Sequence, residues 1–465
     1  MNPTMARETR LLRTSIFLSF FFAASLFALS SKASASENSA SRPNIVVIFI
    51  DALRPDKLGC YGFPAEISPE IDALAAQGVR FKTIIAQSTW TMPSIGSVLT
   101  SQYPRTLGIY SEYNQCLSDR FVTLAEVLQA NGYTTIGVTG NPNINSVFNF
   151  NQGYDYYLDS NVVWEWMAAK AGQVQRSYSN KLKTSRETFE AGLNILRTEK
   201  KRPFFISLLV MDVHQKKQFA PRLEFSGLFS EYSRPEERQY YQMVREVSRE
   251  TGDFVEKVLA MDGCRDTLFV ILSDHGEGLY DYPHVENSRE HGYLLYESVL
   301  RVPLIFSRPG FSLEPRVITR PVQLIDLMPT LLDYIGIEAP PDVAGHSLRP
   351  LINGESDQPE LPRYFVAETY FRGSNKIAVY SAKWEYIENR DGQVGCHPHE
   401  LQRNRSRQDG SLTDVLPQYR RVTQALKKYL DEWEKKHPRV KPTPCQDKEA
   451  MSKTLEQLKS LGYIK

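Results

Sequence analysis

Three uninterrupted apolar runs constrain this chain more than any other feature. Residues 44–50, 204–211 and 267–273 are rich in β-branched and aromatic side chains and show no polar alternation. A strand with one wet face alternates, whereas a strand without alternation is buried on both faces, as parallel strands covered by helices are. The first run stops at Asp51, the second at Asp212 and His214, the third at Asp274-His275-Gly276. Open α/β sheets bind ligands beyond the carboxyl ends of their strands. Carboxylates and imidazoles at three such ends form an oxygen and nitrogen set suited to Ca²⁺, Zn²⁺, Mn²⁺ or Mg²⁺. Taken singly, each group has a plainer reading: a strand-end aspartate as a turn former, and His214 or His291 as an ordinary histidine.

Helix signals separate the runs. Ser68-Pro-Glu opens one helix and Gly78 closes it, while Thr123-Leu-Ala-Glu126 is a capping box for a helix ending at Gly132, before a strand over Thr134–Thr139. Ser233-Arg-Pro-Glu236 caps a long amphipathic helix reaching about Met261, 302–306 reads as a strand, and a helix runs from near Asp326 to Tyr334. Strands alternating with helices predict an α/β sheet covered on both faces. From about residue 362 the pattern changes. Tyr364–Thr369, Lys376–Tyr380 and Trp384–Asn389 read as an antiparallel sheet, followed by a helix over Arg421–Trp433 and by loops at 403–412 and 436–448.

A hydroxyl-bearing stretch, Ser88 to Thr100, adds a possible nucleophile. The Met92-Pro93 step predicts a helix beginning at Pro93, with Met92 outside it. Thr91 then lies at a helix N-terminus, where free N–H groups favour an anion. It reads either as an N-cap threonine or as a nucleophile activated by a divalent metal.

At 465 residues, 42% hydrophobic and 23% charged, the chain has the composition of a globular protein with one large core and a small second domain. Arg7, Arg10 and Arg13 precede an apolar stretch over 16–29 and then Ala33-Ser34-Ala35, which predicts a secretory signal over 1–35 and a flexible leader over 36–42. Cleavage would remove four basic residues and one acidic one, taking the net charge from +1 to −2, so nothing points to nucleic acid. No other segment looks membrane-spanning. The five cysteines have no metal-site spacing, and Cys396 with Cys445 is the pair expected in an exported chain.

Several passages together resemble the sulfatase family of the alkaline phosphatase superfamily: Pro43 to Asp51 with Leu58-Gly-Cys-Tyr-Gly62; Thr91-Met-Pro-Ser94 with Leu99 to Pro104; Ser273 to Glu277 with His291-Gly292; Ile325 to Leu332 with Gly345 to Leu348; and the closing Leu461 to Ile464. The resemblance implies an alkaline phosphatase-like α/β/α sandwich over 43–360, with a mixed, mostly parallel sheet, and a small antiparallel α+β subdomain over 361–465. It implies one divalent metal held by Asp51, Thr91, Asp274 and His275, Thr91 as nucleophile, and His214 and His291 on the substrate side. The chain departs from the family where most members carry a cysteine or serine that becomes formylglycine, because threonine cannot yield that aldehyde hydrate. Ile95 replaces an arginine, Ala52 the second of paired aspartates, and Asn141 the lysine of a Gly-Lys pair.

The expected function is that of an exported, metal-dependent hydrolase cleaving sulfate or phosphate/phosphonate esters of a small molecule or glycan. The alternatives are a phospho-group transferase of the same superfamily, or a catalytically inactive anion- or glycan-binding protein.

Overall fold

The computed structural model describes residues 42–460 apart from 64–65, 111–114, 161–181, 284, 312, 356–360, 393–398 and 404–418. The expected signal, nearly all of the leader, Cys396, the closing 461–464 passage and most of the 403–412 loop lie outside the described residues. From Pro43 onward the chain forms one compact unit. Among the described residues, no helix is long and apolar enough to cross a membrane.

The main sheet comprises β1 (Asn44–Ile50), β2 (Val79–Phe81), β3 (Thr134–Thr139), β4 (Tyr156–Leu158), β5 (Phe204–Val210), β6 (Thr267–Leu272), β7 (Leu304–Ser307) and β8 (Arg316–Ile318). Its order is β8-β2-β7-β6-β1-β5-β3-β4. The block from β6 to β4 is parallel, and β7 runs against both of its neighbours. The expected mixed, mostly parallel sheet is present.

Helices α1 (Pro69–Ala76), α2 (Thr91–Thr100), α3 (Leu124–Ala130), α4 (Ser185–Thr198), α5 (Pro235–Leu259) and α6 (Leu327–Tyr334) cover its two faces. The unbroken apolar run of β1 is explained by this double cover. Ile45, Val47 and Phe49 share a core with Val98 of α2, Leu128 of α3 and Leu331 of α6. Val46, Ile48 and Ile50 share another with Ile71 of α1, Leu193 of α4 and Val247 of α5. Burying one such aliphatic side chain is worth about 1.5–3 kcal/mol, so a charge in the middle of β1 would be costly on either face.

A second, antiparallel sheet follows: β9 (Phe365–Thr369), β10 (Lys376–Tyr380), β11 (Trp384–Asn389) and β12 (His399–Arg403). Val366, Ile377, Val379 and Tyr386 pack with Leu426, Leu430 and Trp433 of α7 (Arg420–Lys436). Phe365, Ala367, Ala378 and Tyr380 belong to the main core. This sheet is therefore gripped between α7 and the rest of the molecule, and α8 (Lys448–Ser460) ends the described chain.

Local details correct the sequence reading. Helix α2 begins at Thr91, so Met92 is helical despite preceding Pro93. The first N–H groups of a helix have no intrahelical acceptor, so a proline in the first turn removes no bond. Ser68 sits at the N-cap of α1 without capping it, because its hydroxyl accepts from the Gly59 N–H and donates to Asp72. Likewise α5 starts at Pro235 with no side-chain cap, whereas the Thr123–Glu126 box forms at α3. The 302–306 strand is split at Pro303: Arg301–Val302 pairs with Ile84–Ile85 in a small separate sheet, and β7 begins at Leu304. The 436–448 segment is not all loop, because Thr443–Pro444 pairs with Gln115–Cys116. That pairing sets Cys445 beside Cys116, and those two form the disulfide, not Cys445 with Cys396. A separation of 329 residues left no local trace of it.

Candidate active site

The strand order β3-β5-β1-β6 brings four carboxyl ends to one edge. Asn141 lies just beyond β3, His214 beyond β5, Asp51 beyond β1, and Asp274 and His275 beyond β6. Immediately after Asp51 the chain turns through Ala52 in a left-handed conformation, φ 61°. The Tyr240 hydroxyl clasps that turn, donating to Ala52 O at 2.8 Å and accepting from the Arg54 N–H at 2.9 Å. Ser273 joins the two central strand ends, its hydroxyl accepting from Leu53 N at 3.0 Å and donating to His275 O at 2.6 Å. Ser94 Oγ donates to Asp274 O at 2.6 Å, fastening the first turn of α2 to the same edge. Gly276 is required by close approach, since a Cβ there would lie 2.1 Å from Ser298 O.

Asp51, Asp274 and His275 are fully buried, and their ligand atoms lie within 4.8 Å of one another. Each carboxylate uses one oxygen and leaves the other unmet. Asp51 Oδ2 accepts from Asn141 Nδ2 at 2.6 Å, and Asp274 Oδ1 accepts from the His275 N–H at 2.9 Å. Asp51 Oδ1 and Asp274 Oδ2 have no hydrogen-bond partner among the described residues. They stand 3.5 and 3.4 Å from His275 Nε2. His275 Nδ1 lies 2.8 Å from Gly276 O, an atom that can only accept, so Nδ1 carries the ring proton. Burial holds this imidazole below its ordinary pKa although Asp274 opposes the shift. Neutral, it aims a lone pair at two carboxylate oxygens. Three ligand atoms converging in this way form a group that could hold a cation. Burial first, and then Asp274, push the Asp51 carboxyl well above its ordinary value. A bound cation would reverse that effect.

Thr91 joins this group. Its Oγ1 lies 3.4 Å from Asp51 Oδ2 and 3.5 Å from His275 Nε2, and it accepts from Asn141 Nδ2 at 3.1 Å. Asn141, which the sequence marked only as a missing lysine, ties the threonine to the aspartate. Its own side-chain oxygen accepts from the Asn143 N–H at 2.8 Å, which fixes which way the amide points.

The two remaining predicted histidines also converge. His214 Nε2 and His291 Nε2 are 3.3 Å apart, and the His291 ring stacks on His275 at 4.5 Å. Burial and the neighbouring His291 hold His214 well below its ordinary pKa. Behind His291 stands Glu277 Oε1, 3.5 Å from Nδ1, and Lys216 Nζ pairs with the other Glu277 oxygen at 3.2 Å. Burial opposes ionisation of Glu277, but Lys216 and His291 hold its carboxyl well below the usual range. Glu277 and Lys216 were not singled out from sequence, although Glu277 follows the Asp274-His275 pair by two residues. Asp212 belongs elsewhere. It caps α4 by accepting from Ser185 N at 2.7 Å and Ser185 Oγ at 3.0 Å. Burial pushes its carboxyl up to about 7 despite those bonds.

The mixed, mostly parallel sheet between helices, with a small antiparallel sheet after it, is an alkaline phosphatase-like α/β/α fold. Within it, the chain belongs to the sulfatase family: the Sulfatase family model matches residues 43–337. A second model, N-sulphoglucosamine sulphohydrolase, C-terminal, matches residues 289–436. The Ulvan-active sulfatase of Formosa agariphila is 25% identical over 374 residues, covering 74% of this chain and 72% of that protein. The solved structure of Ps i-CgsB in complex with k-i-k-neocarrahexaose has a TM-score of 0.67 at 19% identity, covering 90% of this chain and 98% of that one. The phosphonate monoester hydrolase of Silicibacter pomeroyi has a TM-score of 0.63 at 17% identity, covering 86% and 96%.

Proposed function

We propose that this chain is an exported, metal-dependent hydrolase of singly charged oxyacid esters, sulfate esters foremost, with Thr91 as the nucleophile. The observation that carries the reading is the convergence of Asp51 Oδ1 and Asp274 Oδ2, neither with a hydrogen-bond partner among the described residues, on His275 Nε2 beside Thr91 Oγ1. These atoms fit a divalent ion, for which the oxygen-rich set suits Ca²⁺, Mn²⁺, Mg²⁺ or Zn²⁺. Such an ion would supply the positive charge that lowers the pKa of the threonine hydroxyl and polarises the ester.

The chain's own residues do the rest. Asn141 orients Thr91 Oγ1, and the hydroxyl proton has Asp51 Oδ2 as its acceptor at 3.4 Å. Oγ1 attacks sulfur, the bond from sulfur to the alcohol oxygen breaks, and the alcohol takes a proton from the His214–His291 pair. Glu277 Oε1, 3.5 Å from His291 Nδ1, stands where it would offset positive charge on that ring during the transfer. Water then attacks the sulfur of the threonine sulfate and gives one proton back to the histidine pair; the departing Thr91 oxygen recovers its proton from Asp51, and the group leaves as hydrogen sulfate, which loses its proton to solvent.

Charge favours a singly charged ester. Asn141 and Ile95 are neutral, and the nearby cations Lys216 and Arg54 are already matched by Glu277 and by Asp56 with Asp281. Sulfate esters and phosphonate monoesters carry one negative charge near neutral pH, whereas phosphate monoesters approach two. A phosphonate monoester is thus the second candidate, the substrate class named for the Silicibacter pomeroyi relative. Export is supported by the Cys116–Cys445 disulfide, a bond that persists in oxidising compartments, and by the signal-like N-terminal sequence.

Turnover of 4-nitrophenyl sulfate, 4-nitrophenyl phosphate and 4-nitrophenyl phenylphosphonate, each with the four metals, tests the reading. Sulfate ester cleavage that needs metal and disappears in Thr91→Ala is expected. A Thr91→Ala protein as active as the parent would end the nucleophile assignment, and a preference for the phosphate monoester would end the charge argument.

A further inference from the structure

The stretch that carries His291 is held by the inner face of the C-terminal sheet. Thr369 Oγ1, at the end of β9, donates to Gly292 O at 2.5 Å, and the Phe371 ring just beyond lies 6.3 Å from the His291 ring. The Tyr296 hydroxyl donates to Glu400 Oε2 of β12 at 3.2 Å. Between these points β10 adds Tyr380, whose hydroxyl meets Leu295 O.

The same hydroxyl also meets Oε1 of Glu385, its cross-strand partner on β11, and both side chains are buried. A phenol has one proton to give, and Leu295 O can only accept. Were Glu385 a carboxylate, one proton would face two acceptors, and one oxygen would meet the phenol lone pair to lone pair. A protonated Glu385 settles the count: the carboxyl donates to the Tyr380 oxygen, and Tyr380 donates to Leu295 O. Each bond in such a chain polarises the next. The surroundings agree. Tyr282 faces the pair from the stretch before His291. The charged groups that reach Glu385 are Glu297, itself paired with Arg301 at 3.0 Å, and Glu400, which accepts from Asn389 at 2.7 Å. Burial holds the Glu385 carboxyl well above its ordinary value; the Tyr380 bond opposes that shift, and Glu297 and Glu400 add to it.

We propose that Glu385 is a positioning residue that works as a neutral acid, its proton leaving the Tyr380 hydroxyl free to hold Leu295 O, four residues beyond His291. Loss of that proton turns the phenol toward the carboxylate and releases the His291 stretch. In this step the carboxyl O–H bond breaks and its proton passes to solvent, while the phenol O–H bond stays intact and only changes acceptor. The consequence for turnover, a slower proton delivery from His291 at alkaline pH, rests on the reading of the site as an ester hydrolase. The proton-dependent hold itself does not.

Denaturant unfolding and amide exchange test this without any turnover. Glu385→Gln keeps a donor facing Tyr380 and cannot ionise; Glu385→Met, neutral and without a donor, is the second reference should the glutamine variant fail to fold. Above pH 4.5 the unfolded chain gives up the Glu385 proton while the folded chain keeps it. The unfolding constant of the parent should therefore rise about tenfold per pH unit relative to that of the neutral variant, until the folded carboxyl ionises. Exchange of a peptide spanning residues 291–300 is followed by mass spectrometry over the same range. Its protection should fall in the parent at the pH where that slope ends, persist in the neutral variant, and be lost at every pH in Tyr380→Phe. A parent that unfolds in step with the neutral variant overturns the proposal, as does a Tyr380→Phe protein as protected as the parent. So does a slope with no break below about pH 10, where tyrosines themselves ionise. A chain that hydrolyses no ester would end the nucleophile assignment and leave both of these readouts standing.

Discussion

Two buried clusters of charge show how the same chemistry can serve opposite ends. In one, Arg105 and Glu368 are almost fully buried where the C-terminal sheet meets the main core. Arg105 Nε donates to Glu368 Oε2 at 2.9 Å and its backbone N–H to Glu368 Oε1 at 2.8 Å. Its Nη2 reaches Glu434 at 2.8 Å, and Arg390 holds the other Glu434 oxygen at 2.9 Å. Opposite charges meet within the chain. In the other cluster, Asp51, Asp274 and His275 are equally buried, yet one oxygen of each carboxylate has no donor among the described residues. A cluster matched by the chain's own groups is a clamp. A cluster left unmatched at a strand edge is where something from outside completes the count.

That contrast can be broken in several ways. The largest effect is expected from Thr91→Ala, which should lower kcat/KM by ~10⁴-fold, about 5 kcal/mol of transition-state stabilisation, while the thermal midpoint stays where it was. Next, Glu368→Gln leaves Arg105 buried without its carboxylate and should cost about 3–5 kcal/mol in denaturant unfolding. Asp274→Asn in metal-free protein should cost under about 1 kcal/mol, because it removes an unmatched charge. Equal losses from these two variants would erase the distinction. Third, a divalent metal at a hundred times its dissociation constant should stabilise the parent by about 2.7 kcal/mol, a gain reversed by chelator and missing in Asp274→Asn.

The smallest effect is in the pH dependence, and the two clusters should slope in opposite directions. Burial and Asp274 raise the Asp51 carboxyl in the folded state. Its contribution to metal-free stability is therefore complete below the ordinary carboxylate value and is lost as pH rises through the folded value. Added metal should flatten that decline. Burial works against ionisation of Glu434, but Arg390 and Arg105 bring its carboxyl from 4.5 down to about 2. Its contribution is complete above about pH 4.5 and is lost as pH falls toward 2. Unfolding curves of Asp51→Asn and Glu434→Gln across pH would each remove one slope and leave the other.

The parts of this molecule that were legible in the sequence share a physical cause. β1, β5 and β6 are read from their unbroken apolar runs because burial on both faces leaves no room for alternation. Asp51, Asp274 and His275 stand out because a charge ending such a run must lie at the sheet's edge. Thr91 stands out by its place before Pro93, even though α2 begins two residues earlier than that proline suggests. Asn141 was visible only as a lysine lost, whereas the structure shows it joining Thr91 to Asp51. Lys216 and Phe371 carried no signal, because a lysine or a phenylalanine in a loop looks the same whether or not a histidine lies against it, and Glu277 was visible only as the end of the passage that begins at Ser273.

The chain by its own order of residues determined the long central strands β1, β5 and β6, their burial on both faces and where each run breaks into charge. Local sterics and the cost of wetting apolar surface act over a few residues, so they can be read in a few residues. Strand order is another matter. It alone made β1 the neighbour of both β5 and β6, and so turned separate strand ends into one site. Cys116 meets Cys445, and Phe371 meets His291, for the same reason. Contacts across hundreds of residues depend on how whole layers pack, and no stretch of sequence carries that information alone.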